Sequence, residues 1–378
     1  GLYLGRMEYD INNYSTWLEI DLNAIRDNTA RIRQFTGREV MAVIKANAYG
    51  HGLIPAAQAA NAGGATWCGT ARVEEALALR RAGISSRLLV LGYTPPAKVP
   101  EAIAQNITLA LVDEKLSEEY LQAAARIGGR LHAHIKVETG MGRLGMRIER
   151  IPAFLKRMQD SDLLIDGIFT HFAQGDEVGC AYTYDQIQRF NQLLADLEAQ
   201  GIKPPLVHAA NSGAIFNYPE SWYDLTRPGD VLYGMAPGPH TPLPAGYQPA
   251  LSWKARLIMV HDFEPGHGIS YGARYITKGK ERIGVIPIGY GDGFRRVDGQ
   301  QVLVGGRRVD VVGRVCMDQC MLQLDAVPNA KPGDEVVLIG RQGTEEISVD
   351  EVAARWNTIN YEVTTGLAER LPRVYLND

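Results

Sequence analysis

The sequence predicts an α/β protein with two parts, an N-terminal (β/α)8 TIM barrel and a C-terminal mostly-β domain. Three observations carry that expectation. Eight apolar runs of strand length fall between residues 40 and 234, and helix-like segments separate most of them. Past residue 236 the pattern changes to short strand-like runs divided by turn residues. The length, 378 residues of which 46% are hydrophobic and 22% charged, exceeds one ordinary compact core and suits a soluble globular chain of two domains.

Taken in order, Thr16–Asp21 alternates like a half-buried strand, and Asp21 or Asn23 can cap the helical pattern that runs on to Phe35. The barrel strands are expected at 40–44, 65–69, 87–91, 107–112, 131–137, 164–171, 205–209 and 225–234, with helices such as 72–82, 113–127 and 184–200 between them. A Pro- and Gly-rich link at 237–249 leads to strands at 252–260, 282–286, 301–304, 307–312, 321–324 and 335–339, where only 349–356 looks helical. The barrel is therefore placed at 16–240 and the β domain at 241–378. The first strand, with no helix before it, can join either.

Composition narrows the function. With 39 basic against 43 acidic residues the net charge is −4, and no block of like charge invites nucleic acid. No apolar run approaches the roughly 18 residues of a membrane span, and residues 1–15 are polar, without a signal-peptide core, so no membrane contact is expected. The chain opens on Gly1 and not on a methionine, which fits either an artificial remnant ahead of Met7 or a domain cut from a longer protein. Cys68, Cys180, Cys316 and Cys320 show no Cys-x-x-Cys spacing, so neither a metal site nor a disulfide framework is expected, and a reducing cytoplasm fits best. Gly289, Gly291 and Gly293 lack the dinucleotide spacing and read as a loop. A nucleoside triphosphate loop is missing as well.

The residues that can carry chemistry lie where the barrel strands end. Lys45 follows the 40–44 run and precedes Gly50 and Gly52, which puts it at a strand's carboxyl end, the active-site mouth of such a barrel. Among apolar neighbours its charged form is disfavoured and a neutral amine can form a Schiff base with an aldehyde. A lysine extending its ammonium into water fits the same stretch. After the fifth strand, Gly140, Gly142 and Gly145 let the chain turn around Arg143, whose guanidinium can grip a carboxylate or simply face solvent. His132, His134 and Lys136 share one face of that strand, from either a wet interior or hydrogen-bonded core histidines. The later strands end in His171, in His208 to Gly213, and in Arg227-Pro228-Gly229. Loops after strands seven and eight commonly bind phosphate in this fold, and Ser212 with the Gly213 amide opens a short helical pattern. A Schiff-base lysine and a phosphate cradle at one mouth point to pyridoxal 5'-phosphate.

With these residues in view, the chain resembles the alanine racemase family of barrel-fold pyridoxal-phosphate enzymes. The likeness begins near Thr16 and spans both domains. It rests on the segment from Ala42 to Gly52 around Lys45, on Gly140-Met141-Gly142-Arg143-Leu144-Gly145, Ser270-Tyr271-Gly272, Val315-Cys316-Met317-Asp318 and Thr358-Ile359-Asn360-Tyr361-Glu362. The resemblance implies racemisation of L-alanine to D-alanine for cell-wall peptidoglycan, with Lys45 as Schiff-base lysine and one base and Tyr271 as the opposing base. It implies that Arg227 meets the pyridine nitrogen, that Tyr49, Ser212, Gly229 and Tyr361 hold the phosphate, and that Arg143 and the Met317 backbone orient the substrate carboxylate. His171 would lie between Tyr271 and Arg227, and Lys136 matches a lysine that is carbamylated in some members. A homodimer with shared active sites is also implied. Two departures stand out: Glu138 replaces the usual aspartate, which should do little, and Asp230 stands where an apolar residue is usual; the resemblance implies that its backbone amide holds the phosphate, so binding can survive, while its carboxylate would weaken it.

The proposed roles suit the chemistry. Removing a proton from one face and returning it to the other is served by two bases. Guanidinium cannot accept a proton, so an arginine at the pyridine nitrogen leaves that nitrogen neutral and the ring a weaker electron sink, which shortens the carbanion's life. A barrel-type amino-acid decarboxylase would share the lysine segment, but Arg227 and the Tyr271 loop speak against it. A non-catalytic cofactor-binding protein would be expected as a lone barrel. A broader alanine/serine specificity remains open, since a pocket discriminates poorly against one added hydroxyl.

Overall fold

The computed structural model describes residues 10–377. The stretch before Asp10, with Met7 and most of the polar amino terminus, lies outside the described residues. Contacts divide the chain into two compact units, Ala24–Gln248 and a second made of residues 10–23 with 249–377.

In the first unit, runs of β-branched and aliphatic residues are buried on both faces, which favours parallel strands covered by helices. Glu39–Val43 is buried at every position but its first, and Ile107–Leu111 at every position. These two belong to a ring of eight parallel strands: Glu39–Val43, Trp67–Thr70, Arg87–Val90, Ile107–Leu111, Leu131–Glu138, Leu163–Phe169, Leu206–His208 and Leu225–Thr226. Leu225 and Thr226 pair back with Glu39 and Val40, so the barrel closes. Helices such as Glu114–Arg126 are started by local chemistry: Asp113 accepts from the Leu116 amide at 3.1 Å, and Leu116, Tyr120 and Ala124 then fall on one buried stripe. The eighth strand is shorter than its apolar run. Pro228 has no amide to continue a ladder, and residues Asp230–Tyr233 form a 3-10 turn instead.

The second unit is mostly strand. Thr16–Asp21 pairs antiparallel with Leu251–Arg256 and parallel with Arg373–Leu376, so the first strand sits in this sheet. Three features depart from expectation. The 252–260 run is two strands, Leu251–Arg256 and Met259–Phe263, because the chain breaks at Leu257 and Ile258 without any turn residue to signal it. A second helix, Asn360–Thr365, joins Val349–Arg355 although its Val-Thr-Thr end has low helix propensity. The strand Arg373–Leu376 was hidden by its four-residue length. Residues Tyr290–Asp292, within the glycine cluster, make a single 3-10 turn. Among the described residues no helix is long and apolar enough to cross a membrane.

Candidate active site

Lys45 follows the first barrel strand by two residues and is half-buried at its carboxyl end. The chain then does something no glycine announces. Ala46, Asn47, Ala48 and Tyr49 all adopt left-handed backbone angles, with φ between 51° and 55°. Such angles cost L-residues roughly 1–2 kcal/mol each, so surrounding bonds must hold the turn. Glu75 is the main clamp: one carboxylate oxygen accepts from the Ala46 amide at 2.8 Å and the other from the Ala71 and Arg72 amides at 3.0 and 2.9 Å. Asn47 accepts from the Leu53 amide at 2.8 Å on the far side. Glu75→Ala is expected to cost about 2 kcal/mol of local stability, since three charge-assisted bonds are lost and the Ala71 amide left behind is partly buried, those of Ala46 and Arg72 being exposed. Hydrogen–deuterium exchange at the Ala46 amide should quicken accordingly; unchanged exchange would mean the turn stands without Glu75.

The turn delivers Tyr49 inward. Its ring lies 5.0 Å from that of Tyr233, and a side chain on Gly229 would sit 2.3 Å from its hydroxyl, so only glycine fits there. Burial, and then the charge of Asp230, push the Tyr49 phenol far up, so it stays protonated and can only serve as a hydroxyl donor or acceptor. Asp230 is itself buried. Ser212 opens the helix Ser212–Asn217, where the cap is Asn211, accepting from the Ala214 amide at 3.1 Å. The Ser212 hydroxyl oxygen accepts from the Gly229 amide at 2.9 Å, and among the described residues its hydrogen goes to no protein acceptor. Gly229 thus offers close approach, its own amide being engaged.

Across the same mouth Arg227 is 3% exposed and fixed from several sides. One terminal nitrogen donates to His208 Nδ1 at 2.8 Å; the other donates to the Thr170 carbonyl at 2.8 Å, the Ala209 carbonyl at 3.2 Å and His171 Nδ1 at 3.3 Å. Nε donates to no protein group among the described residues. Burial lowers the guanidinium's pKa to about 9, which still leaves it charged at neutral pH. His171 and His208 are pushed well below the usual imidazole range by burial and then by Arg227, so both are neutral. Because His171 Nδ1 accepts, its proton is on Nε2.

The Arg143 loop is built on the predicted glycines: Gly140, Gly142 and Gly145 have φ of 148°, 70° and 153°. Glu138, which stands where the family usually has aspartate, organises this loop. It accepts from the Gly140 amide at 2.7 Å, the Gly142 amide at 2.9 Å and the Arg143 amide at 3.3 Å, so it shapes the loop that presents the exposed Arg143. Burial, then Arg143 and Arg227, lower the pKa of Lys45, and the same causes bring Lys136 down to about 8. Four cations therefore crowd one mouth.

In the β unit, Ser270, Tyr271, Gly272, Cys316, Met317, Asp318 and Gln319 line one open concavity. Tyr271 is 66% and Met317 55% exposed. Ser270 holds this turn with φ of 66°, its hydroxyl donating to the Arg314 carbonyl at 2.6 Å. Met317's carbonyl accepts from the Gly291 amide at 2.9 Å, and its own amide donates to nothing among the described residues. Tyr361 is half-buried on Asn360–Thr365.

Comparison with known proteins decides the family. Residues 20–237 match the alanine racemase N-terminal domain and residues 250–375 the alanine racemase C-terminal domain. The chain belongs to the alanine racemase family. The alanine racemase of Symbiobacterium thermophilum is 43% identical over 95% of this chain and 97% of its own length. Among solved structures, alanine racemase from Bacillus anthracis with bound L-Ala-P superposes with a TM-score of 0.90 at 39% identity, covering 96% of this chain and 95% of the other. Alanine racemase from E. faecalis gives 0.91 at 38% identity, with 96% and 99% covered. As an isomerase of the alanine racemase family, the chain gathers Lys45, Tyr49, Lys136, Arg143, His171, His208, Ser212, Arg227, Gly229 and Asp230 within its barrel unit, while Tyr271, Met317 and Tyr361 belong to its β unit. Sequence reasoning overlooked Glu75. An acidic residue in the first turn of Val73–Arg81 is unremarkable by itself, and only the fold brings it to Ala46.

Proposed function

We propose that the chain interconverts L- and D-alanine with pyridoxal 5'-phosphate, using Lys45 and Tyr271 as two bases. The observation that carries this reading is the crowding of Lys45, Lys136, Arg143 and Arg227 around one barrel mouth, where burial and then the two guanidinium groups lower the pKa of both lysines. So many cations at one mouth call for anionic ligands, and a phosphorylated cofactor with an amino-acid carboxylate supplies two.

The residues fit that cofactor. Ser212 has a hydroxyl hydrogen to give, Gly229 leaves room beside the Tyr49 hydroxyl, and Arg227 keeps Nε in reserve for a ring nitrogen. Tyr361 is assigned to the phosphate with them. When bound, the cofactor supplies an aldehyde for an amino group and a conjugated ring that acidifies the α-hydrogen. Arg227, a donor only, keeps the ring nitrogen unprotonated. Lys45, whose depressed pKa makes its neutral amine accessible, takes or returns a proton at Nζ on one face. Tyr271 does the same at its hydroxyl oxygen on the other face, with the Nε2 proton of His171 available to it. Arg143 and the Met317 amide hold the carboxylate.

The exposure of Tyr271 and Met317 supports a homodimer in which each active site takes Lys45 from one chain and Tyr271 from the other. A cytoplasmic role in supplying D-alanine for cell-wall peptidoglycan follows from the same reading.

Incubation with L-alanine should drive optical rotation to zero without release of carbon dioxide, whereas carbon dioxide would indicate a decarboxylase. Borohydride reduction of the cofactor-loaded protein followed by peptide mapping should put the label on Lys45; a label on another lysine would sink the assignment. Tyr361 is expected to crowd the substrate's side chain as well as the phosphate. Tyr361→Asn should then raise serine turnover relative to alanine by roughly tenfold, the effect of about 1.4 kcal/mol of relieved crowding. An unchanged ratio would place the pocket wall elsewhere.

A further inference from the structure

A line of polar side chains runs through the barrel from Arg227 to the half-exposed Asp166. Arg227 donates to His208 Nδ1 at 2.8 Å, His208 Nε2 lies 3.0 Å from His134 Nδ1, and His134 Nε2 lies 3.4 Å from Asp166 Oδ1. The other oxygen of Asp166 is 2.7 Å from Nδ1 of the half-exposed His132. His134 and His208 are wholly buried, and their walls are aromatic: Trp67 lies 5.3 Å from the His134 ring, and Phe169 stacks on His208 at 4.7 Å. The backbone is fitted to the line. A side chain at Gly167 would lie 2.4 Å from the His134 ring, and the pairing of the two strands shifts register between Ala133 and His134.

The chemistry gives the line one direction. Guanidinium has donors only, so His208 must present a lone pair at Nδ1. Burial pushes the pKa of His134 down and that of His208 well down, so each is neutral with a single ring proton. His208 therefore carries its proton on Nε2 and donates to His134 Nδ1. His134 in turn carries its proton on Nε2, where the nearest acceptor is Asp166 Oδ1, 3.4 Å away and outside hydrogen-bond geometry; both atoms are buried with no other hydrogen-bond partner among the described residues. With either ring reversed, two N–H groups would face each other in an apolar wall, or a guanidinium N–H would meet an imidazole N–H.

We propose that Asp166 is a positioning residue that fixes the tautomers of His134 and His208 and, through them, the aim of the Arg227 guanidinium. It touches neither substrate nor cofactor. Its link to the reaction rests on the reading of Arg227 as the partner of the pyridine nitrogen, but the tautomers themselves do not.

The test starts with the full chain, labelled with 15N in its eight histidines and assigned through single His→Gln substitutions. His134 and His208 should both be Nε2–H tautomers, with a coupling across the N–H···N bond between them. An Nδ1 proton on either ring overturns the proposal without any variant at Asp166. Asp166→Leu removes the acceptor, and the two rings should then show mixed or reversed tautomers, with affinity for pyridoxal 5'-phosphate falling roughly tenfold, the worth of one misdirected charge-assisted bond. Asp166→Asn restores an amide oxygen toward His134 and should restore both tautomers; His132, half-exposed, can change its own tautomer to accept from the amide. Tautomers that survive Asp166→Leu, or Asp166→Asn behaving like Asp166→Leu, would overturn it. Should Asp166→Leu fail to fold, the wild-type spectrum and Asp166→Asn still decide. If the cofactor did not bind at all, the function proposed for the site would fail while the tautomer result stood on its own.

Discussion

Tyr271→Phe is expected to reduce racemisation by about a thousandfold, within the range of a lost general acid–base group, yet to leave one α-hydrogen exchanging with solvent. The substitution removes a hydroxyl and keeps the ring. Tyr271 is 66% exposed in its own β unit, and its hydroxyl has no structural partner among the described residues, so no fold penalty is expected. Lys45 stands on the other unit, at the barrel mouth, with its depressed pKa unaffected by the change. It should continue to exchange the α-hydrogen of the enantiomer whose hydrogen faces it. In deuterated water, one enantiomer of alanine should therefore gain deuterium at close to the wild-type rate and the other should gain almost none. Mass spectrometry after brief incubation with each enantiomer reads both rates. Equal loss for the two would refute the division of labour between Lys45 and Tyr271, and equal retention would remove Tyr271 from the reaction.

The parts of this site that the sequence made legible are those in which local chemistry and fold agree. Val40 to Ile44 reads as a buried strand, and Lys45 after it falls at a strand's carboxyl end, the mouth of the expected barrel. Gly140, Gly142 and Gly145 announced a turn around Arg143 because their positive φ values are ones that other residues rarely adopt. What stayed hidden is what tertiary contacts impose. No glycine marks the left-handed turn from Ala46 to Tyr49; Glu75, 29 positions from Ala46, holds it. The direction of the line from Arg227 to Asp166 is set by four residues on three strands and the loop after the eighth. Their separation in sequence exceeds any local pattern, although His134 was recognisable as a core histidine candidate. Tyr271 and Met317 sit in aperiodic loops of the β unit, so only the motifs around them drew attention. The split of 252–260 at Leu257 and Ile258 had no breaker to reveal it.

Mixing two inactive proteins, Lys45→Ala and Tyr271→Phe, should restore roughly a quarter of wild-type racemisation once their subunits exchange, by the symmetry of a two-fold dimer. In the arrangement proposed here each site combines the barrel of one chain with the β unit of the other. A mixed dimer then has one site with both defects and one site with neither. Random exchange makes about half the dimers mixed, each with one good site out of two, which gives the quarter. The exposure of Tyr271 and Met317 on the single chain is the physical ground for expecting this. A base that must meet a substrate shielded from water needs a second surface over it, and in a closed dimer the same patch on each chain is covered in the same way. Were Tyr271 to serve the barrel of its own chain, every site in a mixed dimer would keep one defect, whichever chain it came from. The exchange itself can be followed by native mass spectrometry with one partner carrying an affinity tag. Mixed dimers that form and stay inactive would rule out the shared site and return Tyr271 to the mouth of its own barrel.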